Sequence, residues 1–300
     1  MLDWQRLRER AAIDVLRWTP KGALSHTIGW LARRELPRGL RASVYSQFAR
    51  CTGIDLASPE LAGSSLDDFP RFDDFFTRAL PAGSRPIASG DDVVVSPCDG
   101  VLSEMGIAEG GRMLQCKGRD YTASGLLADS TEARAFEGGA FATLYLAPRN
   151  YHRVHAPTGD AVVGYRHIPG ALFPVNPISV RHVAGLFSIN ERLVTYLEGP
   201  LGRVAVVMVA ATGVGHITVS YDAIETHRKP RPPRNFAQRY ARPRPLAKGA
   251  ELGMFHLGST VILLFQPGRV TLAGLERGSI VQVGQPLGRR SAGRSGEVAA

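Results

Sequence analysis

The chain has 300 residues, of which 44% are hydrophobic, 21% charged and 8% aromatic, a composition that excludes wholesale disorder and suffices for one large or two modest domains. Three widely spaced cysteines, Cys51, Cys98 and Cys116, form no disulfide framework and no Cys-x-x-Cys pair for zinc or redox work, so a reducing compartment is expected. The net charge of +9 is concentrated in two places, residues 1–50 with ten basic against four acidic side chains and residues 226–250 with eight against none, which points to a polyanionic partner: nucleic acid, an acidic bilayer or a phosphorylated substrate.

From the N-terminus, Leu2, Trp4, Leu7, Ala11, Val15 and Trp18 recur at mainly three- and four-residue steps with Arg6, Arg10 and Arg17 between them, which predicts an amphipathic helix. Pro20 and Gly22 interrupt it, and a second helical stretch with Ile28, Trp30 and Leu31 is expected to run to about Pro37. Two tryptophans beside arginines suit a lipid interface, and equally a helix packed on its own domain. Arg6, Arg8, Glu9, Arg10 and Asp14 break any secretory signal early, and the longest apolar run, Val204 to Ala211, has eight residues where a bilayer span needs about 20. Residues 70–80 read as a short helix that turns Phe72, Phe75 and Phe76 to a core.

Beyond Ile87 the pattern changes to short apolar runs: 93–95, 141–146, 161–163, 193–197, 204–210, 217–219, 261–265 and 270–272. Their length predicts strands, and the lack of alternating long helices favours an antiparallel sandwich or barrel over a doubly wound sheet. Residues 226–250 carry Pro230, Pro232, Pro233, Pro243 and Pro245 among the basic residues and read as an irregular linker, either a solvated loop or a cationic arm with Phe236 and Tyr240 as anchors.

Three passages concentrate reactive side chains. Ser96-Pro97-Cys98-Asp99-Gly100 places a carboxylate in a turn after an apolar run, which by itself is an ordinary Asp-Gly turn. Tyr151-His152-Arg153-Val154-His155-Ala156-Pro157 carries two histidines whose spacing, without a third ligand, does not make a metal site. Leu257-Gly258-Ser259-Thr260 precedes an apolar run, so that a serine hydroxyl lies beside the carbonyl of a flexible glycine, where self-attack is permitted and a simple turn is the alternative.

Together and in this order, the three passages resemble the phosphatidylserine decarboxylase family of the bacterial, self-cleaving, pyruvoyl-dependent type. Phe75-Phe76-Thr77-Arg78, Pro169 through Asn176 and Phe265-Gln266-Pro267-Gly268 extend the resemblance over about residues 65–285. It implies an α+β protein: a helical membrane-association segment over 1–50, then a catalytic domain over 51–300 with a predominantly antiparallel β core. It implies self-cleavage between Gly258 and Ser259 into chains 1–258 and 259–300 that stay together as a heterodimer, with Asp99 orienting His155 and His155 taking the proton of Ser259. Ser259 would become a pyruvoyl cap, the only cofactor, which forms a Schiff base with phosphatidylserine and acts as electron sink for its decarboxylation to phosphatidylethanolamine. His152 is the candidate proton donor, and the reverse allocation of the two histidines stays open. The implied location is peripheral, on the cytoplasmic face of an anionic cell membrane, with no nucleic acid and no metal; the oligomeric state, a homo-oligomer included, is left open. A non-enzymatic basic lipid-binding module would explain the charge but not the three passages. A serine hydrolase acting on external substrates would need a Gly-x-Ser-x-Gly elbow, whereas Thr260 and Val261 follow Ser259. His256, three residues before Ser259, attracts attention without a derivable role.

Overall fold

A computed structural model describes residues 4–61, 63–116, 118–213, 216–227, 235–256 and 259–292. Leu257 and Gly258, residues 228–234 of the basic stretch and residues 293–300 of the expected short chain lie outside the described residues. Helices α1 (Trp4–Trp18), α2 (Lys21–Ala32), α3 (Arg38–Thr52) and α4 (Phe72–Phe76) open the chain, followed by strands β1 (Val93–Val95), β2 (Gly100–Ile107), β3 (Arg112–Cys116) and β4 (Arg119–Thr122). Helices α5 (Ala123–Leu127) and α6 (Ser130–Arg134) lead into β5 (Ala140–Leu146), β6 (Arg153–His155), β7 (Asp160–Ile168), α7 (Pro177–His182) and α8 (Leu186–Ile189). The remainder is strand: β8 (Arg192–Gly199), β9 (Gly202–Ala210), β10 (Ile217–Val219), β11 (Phe236–Leu246), β12 (Glu251–Phe255), β13 (Ser259–Phe265), β14 (Val270–Leu272), β15 (Ile280–Val281) and β16 (Pro286–Arg290).

Eight of these strands form one antiparallel sheet in the order β11-β7-β8-β9-β13-β5-β2-β15, so the architecture is α+β with a mostly antiparallel core. Its central strands are apolar on both faces because both faces are covered. Val206, Met208, Val261 and Leu263 point to one side, toward a layer that includes Val154 of β6 and Leu252 and Phe255 of β12. Val207, Val209, Ile262 and Leu264 point to the other, where Leu126, Leu127, Val183, Leu186 and Phe187 on and beside the short helices close the core. Double coverage explains why the sequence here reads as continuous apolar runs rather than as alternation. β13 is central, paired along its whole length with β5 on one side and β9 on the other. Val261, Ile262, Leu263, Leu264 and Phe265 are wholly buried, contributing roughly 10 kcal/mol of burial to the strand's hold on its neighbours.

The basic stretch departs from the expectation of an irregular linker: within it, Phe236–Leu246 forms β11, the edge strand of the large sheet. Pro243 and Pro245 are accommodated because an edge strand leaves one row of backbone groups unpaired, and the register shifts between Arg239 and Arg244. The second helix also ends earlier than expected, at Ala32, and Pro37 caps a further helix, α3, that the sequence pattern did not disclose. Tyr45 of α3 stacks on Phe75 at 4.8 Å and donates its hydroxyl to the Phe69 carbonyl at 2.7 Å. In α1, Ile13 is buried and Glu9 binds Arg181 and His182 at 2.9 and 2.8 Å. The opposite faces of α1–α3 leave Trp4, Val15, Trp18, Leu24, Trp30, Leu31, Leu40 and Val44 exposed. No helix among the described residues is long and apolar enough to cross a membrane.

Candidate active site

Ser259 is the first residue of β13, opposite Leu146 of β5 and Ala210 of β9. Strand periodicity turns its side chain to the face shared by Val261, Leu263 and Phe265, the face on which β6 and β12 lie. The residue is wholly buried, and its Oγ has no hydrogen-bond partner among the described residues. An unpaired buried hydroxyl costs about 1–3 kcal/mol, so the fold retains it against its own stability.

The segment carrying both histidines leaves β5 at Leu146 through a turn in which Asn150 and Ala147 exchange two hydrogen bonds of 2.8 and 2.9 Å. His152 is wholly buried, with its ring 4.1 Å from that of Phe76. Its Nδ1 lies 2.7 Å from the Asn150 carbonyl, which can only accept, so Nδ1 carries the proton and Nε2 presents a lone pair. That Nε2 likewise has no hydrogen-bond partner among the described residues. Burial, reinforced by the positive charge of Arg78, pulls the ring's pKa down to about 3 against the pull of the Asn150 carbonyl, and His152 is neutral.

His155 faces the other way. Its Nδ1 donates to the Gly249 carbonyl at 2.8 Å, and its Nε2 accepts from the Tyr151 hydroxyl at 3.2 Å. Burial lowers its pKa, while the Gly249 bond and the charges of Glu251 and Asp99 oppose the shift. Gly249 is required in this role: its φ is +77°, and a Cβ there would meet Ile87 Cγ1 at 2.6 Å.

Asp99 lies in the turn clamped to this segment by a 2.7 Å bond from the His155 amide to the Pro97 carbonyl. Gly100 follows because a Cβ at that position would stand 2.5 Å from the Tyr145 carbonyl oxygen, so the Asp-Gly pair is there for close strand approach as well as for the turn. The carboxylate accepts from the Val283 amide at 2.9 Å and is gripped by Arg85, whose Nε is 2.9 and 3.1 Å from its two oxygens. Burial opposes the charge on Arg85, but hydrogen bonds from its guanidinium to Asp99 and Glu60 outweigh burial and raise its pKa further. Among the described residues no hydrogen bond joins Asp99 to His155; the acceptor that orients His155 is the Gly249 carbonyl, and Asp99 reaches the ring through charge alone.

Sequence reasoning therefore named Ser259, His152, His155 and Asp99 but not Arg85, Tyr151 or Gly249 as their partners. Tyr151 stood inside the motif and could have been found there. Arg85 and Gly249 carry no local signal, because their roles exist only once distant segments meet. His256, also without a role from sequence, donates Nδ1–H to the Asp73 carboxylate at 2.9 Å and accepts from the Thr218 hydroxyl at 3.1 Å. Its ring stacks on His216 at 4.2 Å. No group of three His, Cys, Asp or Glu side chains among the described residues is arranged to hold a metal ion.

The family model for phosphatidylserine decarboxylase matches residues 72–289. The phosphatidylserine decarboxylase proenzyme of Anaeromyxobacter sp. (strain K) is 50% identical over 286 residues, covering 94% of this chain and 99% of its own. That of Myxococcus xanthus (strain DK1622) is 44% identical over 283 residues, covering 94% and 99%, and that of Alcanivorax borkumensis is 40% identical over 287 residues, covering 94% and 97%.

Proposed function

Because the chain belongs to the phosphatidylserine decarboxylase family, we propose that it decarboxylates phosphatidylserine to phosphatidylethanolamine as a carboxy-lyase, after cutting itself between Gly258 and Ser259. The observation that carries the reading is the Ser259 hydroxyl, wholly buried and unpaired at the head of a strand held on both sides.

His155, neutral, takes the Ser259 proton at Nε2 as Oγ attacks the Gly258 carbonyl, the Tyr151 hydroxyl that occupies this lone pair turning away to admit it. Asp99 favours the imidazolium so formed through its charge. The peptide bond becomes an ester, and loss of the Ser259 α-proton expels the Gly258 carboxylate and leaves dehydroalanine. Water converts this to a ketone and releases ammonia. Chain 259–300 then stays with chain 1–258, because β13 remains paired with β5 and β9 and β16 with β1.

Residue 259 fits a pyruvoyl group, since loss of its hydroxyl breaks no hydrogen bond among the described residues and the residue is wholly buried. The group supplies an electron sink for the pair released as carbon dioxide leaves. His152 Nε2 is the atom available to hold a proton for the carbon left behind, and the substrate carboxylate brought beside the ring favours the protonated form. The reaction's lipid substrate requires docking on a bilayer, for which the exposed apolar side chains of α1–α3, interleaved with Arg33, Arg34, Arg38 and Arg41, are suited. Each basic residue near an anionic surface adds about 1 kcal/mol. The docked enzyme is peripheral and on the cytoplasmic face. A lipid-binding module without catalysis would give no reason for an unpaired serine in the core.

Intact mass under denaturing conditions tests the reading. Purified wild-type protein is expected as two chains divided before residue 259, the shorter with a ketone-reactive end, and Ser259→Ala as one full-length inactive chain. Active wild-type protein of a single uncut mass rejects it.

A further inference from the structure

Five of the eight histidines, none of them in the catalytic motif, fall into two neighbouring groups, one around Glu191 and one made by His216 and His256. His167 and His227 share the buried carboxylate of Glu191, His26 faces His227 with ring centroids 6.3 Å apart, and His216 stacks on His256. Between α2 and the segment 216–227, three of them border a cavity of about 220 Å³ lined by Ser25, His26, Gly29, Arg33, His216, Glu225 and His227. α2 is fixed over it by the 3.1 Å bond from the Gly213 amide to the Ser25 hydroxyl.

The lining is selective in its chemistry. His227 is about nine-tenths buried, its Nδ1 faces Glu191 at 3.5 Å, and its Nε2, in the wall of the cavity, has no partner among the described residues. Its backbone is in the left-handed region, φ +57°, which is costly for any residue but glycine and holds the ring in place. Across the cavity Arg33 uses one N–H toward His216 Nδ1 at 3.3 Å and retains the rest of its donor fork. The one carboxylate in the lining, Glu225, is directed at His216 Nε2, 3.5 Å away, and Glu191 is taken up by His167 and His227. No metal geometry is present among the described residues. What remains is the guanidinium of Arg33 facing a cavity walled by imidazole rings, and a guanidinium fork suits a phosphate oxygen.

Two chains of contacts link the cavity's lining to the reacting residue, one through Glu191, which holds His227, and one through His216. Ala210, the cross-strand partner of Ser259, donates its amide to the Glu191 carbonyl, and His256, stacked on His216, lies three residues before Ser259. In phosphatidylserine only the serine Cα, Cβ and ester oxygen separate the amine from phosphorus, so an amine at residue 259 leaves the phosphodiester within reach of such a neighbouring site.

We propose that Arg33, His26 and His227 form the binding site for the phosphodiester of the lipid headgroup, clamped between helix α2 and the β core. The assignment rests on the decarboxylase reading and adds the residues that select a phosphorylated serine over free serine. It also gives α2 a second task, since the helix whose outer face exposes Trp30 and Leu31 presents Arg33 to the headgroup.

The test uses the matured wild-type enzyme and Arg33→Ala, a substitution at an exposed side chain that leaves the core intact. With short-chain phosphatidylserine, Arg33→Ala is expected to raise KM about tenfold with kcat retained, as for loss of one charge-assisted hydrogen bond, and Arg33→Lys to recover part of the loss. Titration calorimetry with glycerophosphoserine is expected to show binding to wild type that weakens in parallel. An unchanged KM, or a fall in kcat alone, overturns the site. Binding of inorganic phosphate without binding of glycerophosphoserine overturns the headgroup assignment in favour of a free-anion site. Wild-type protein that stays uncut overturns the parent reading instead, and the mass spectrum reveals that before any KM is measured.

Discussion

Two groups of histidines in this chain sit in opposite environments. On the β6 side the rings are dry: His152 is sealed against Phe76 with a bare nitrogen, and burial keeps both His152 and His155 neutral. Under α2 the rings are bound to carboxylates, stacked on each other and open to a cavity. The difference teaches that a residue type does not fix a task. Desolvation makes a base that can take a hydroxyl proton, whereas carboxylate partners and stacking beside a cavity hold rings in fixed orientations.

The largest effect separating the two groups is on self-cleavage. His155→Ala removes the acceptor for the Ser259 proton and is expected to slow cutting by about 10²–10⁴-fold. The check is a time course of intact masses on freshly made protein. Cutting within tenfold of the wild-type rate would remove His155 from the base role and shift attention to His152.

Acid sensitivity sharpens the contrast at the next scale. The folded-state pKa of His152, about 3, lies below the ordinary 6.5, so as pH falls the unfolded chain takes the proton first. Its contribution is therefore complete above about pH 6.5 and is lost as pH falls toward 3, on the order of 3 kcal/mol by about pH 4. Urea unfolding of the uncut Ser259→Ala chain across this range should show that slope, and adding His152→Gln should flatten it. An equal slope with and without His152 would mean that the ring is not dry.

How much of this was legible in the sequence follows from the range over which each signal acts. The apolar runs at 93–95, 217–219 and 270–272 reappear as strands with the same limits, because short β-branched and apolar runs are a local signal whether the strand is buried throughout, as β1 is, or only in part, as β10 and β14 are. β11 was hidden by its prolines, since edge position is a property of the sheet and not of the segment. Ser259, His152, His155 and Asp99 were nameable because each sits in a short motif. The Arg85 grip on Asp99 and the Gly249 carbonyl beneath His155 were not, because they join residues 14 and 94 positions apart. The cluster under α2 was invisible for the same reason: its five histidines come from four separate stretches of chain.

The smallest effect concerns the member of that cluster nearest the junction. His256 is fixed by the Asp73 carboxylate at Nδ1, the Thr218 hydroxyl at Nε2, the His216 ring on its face and a 3.0 Å bond from its amide to the His216 carbonyl. It gives the chain a fixed point of departure three residues before the serine, and self-attack depends on how closely the attacked carbonyl is placed. Asp73→Asn keeps the shape but loses the charge in a bond of the kind worth about 1.5–3 kcal/mol. If about 1 kcal/mol of that serves placement, cutting slows about fivefold while decarboxylation by protein already cut is unchanged, because the junction no longer exists there. Self-cleavage half-times and the kcat of the matured variant measure the two separately. Loss of kcat in the matured Asp73→Asn enzyme would move His256 from the dry reaction's scaffold into its chemistry, and the division between the two groups of histidines would no longer hold.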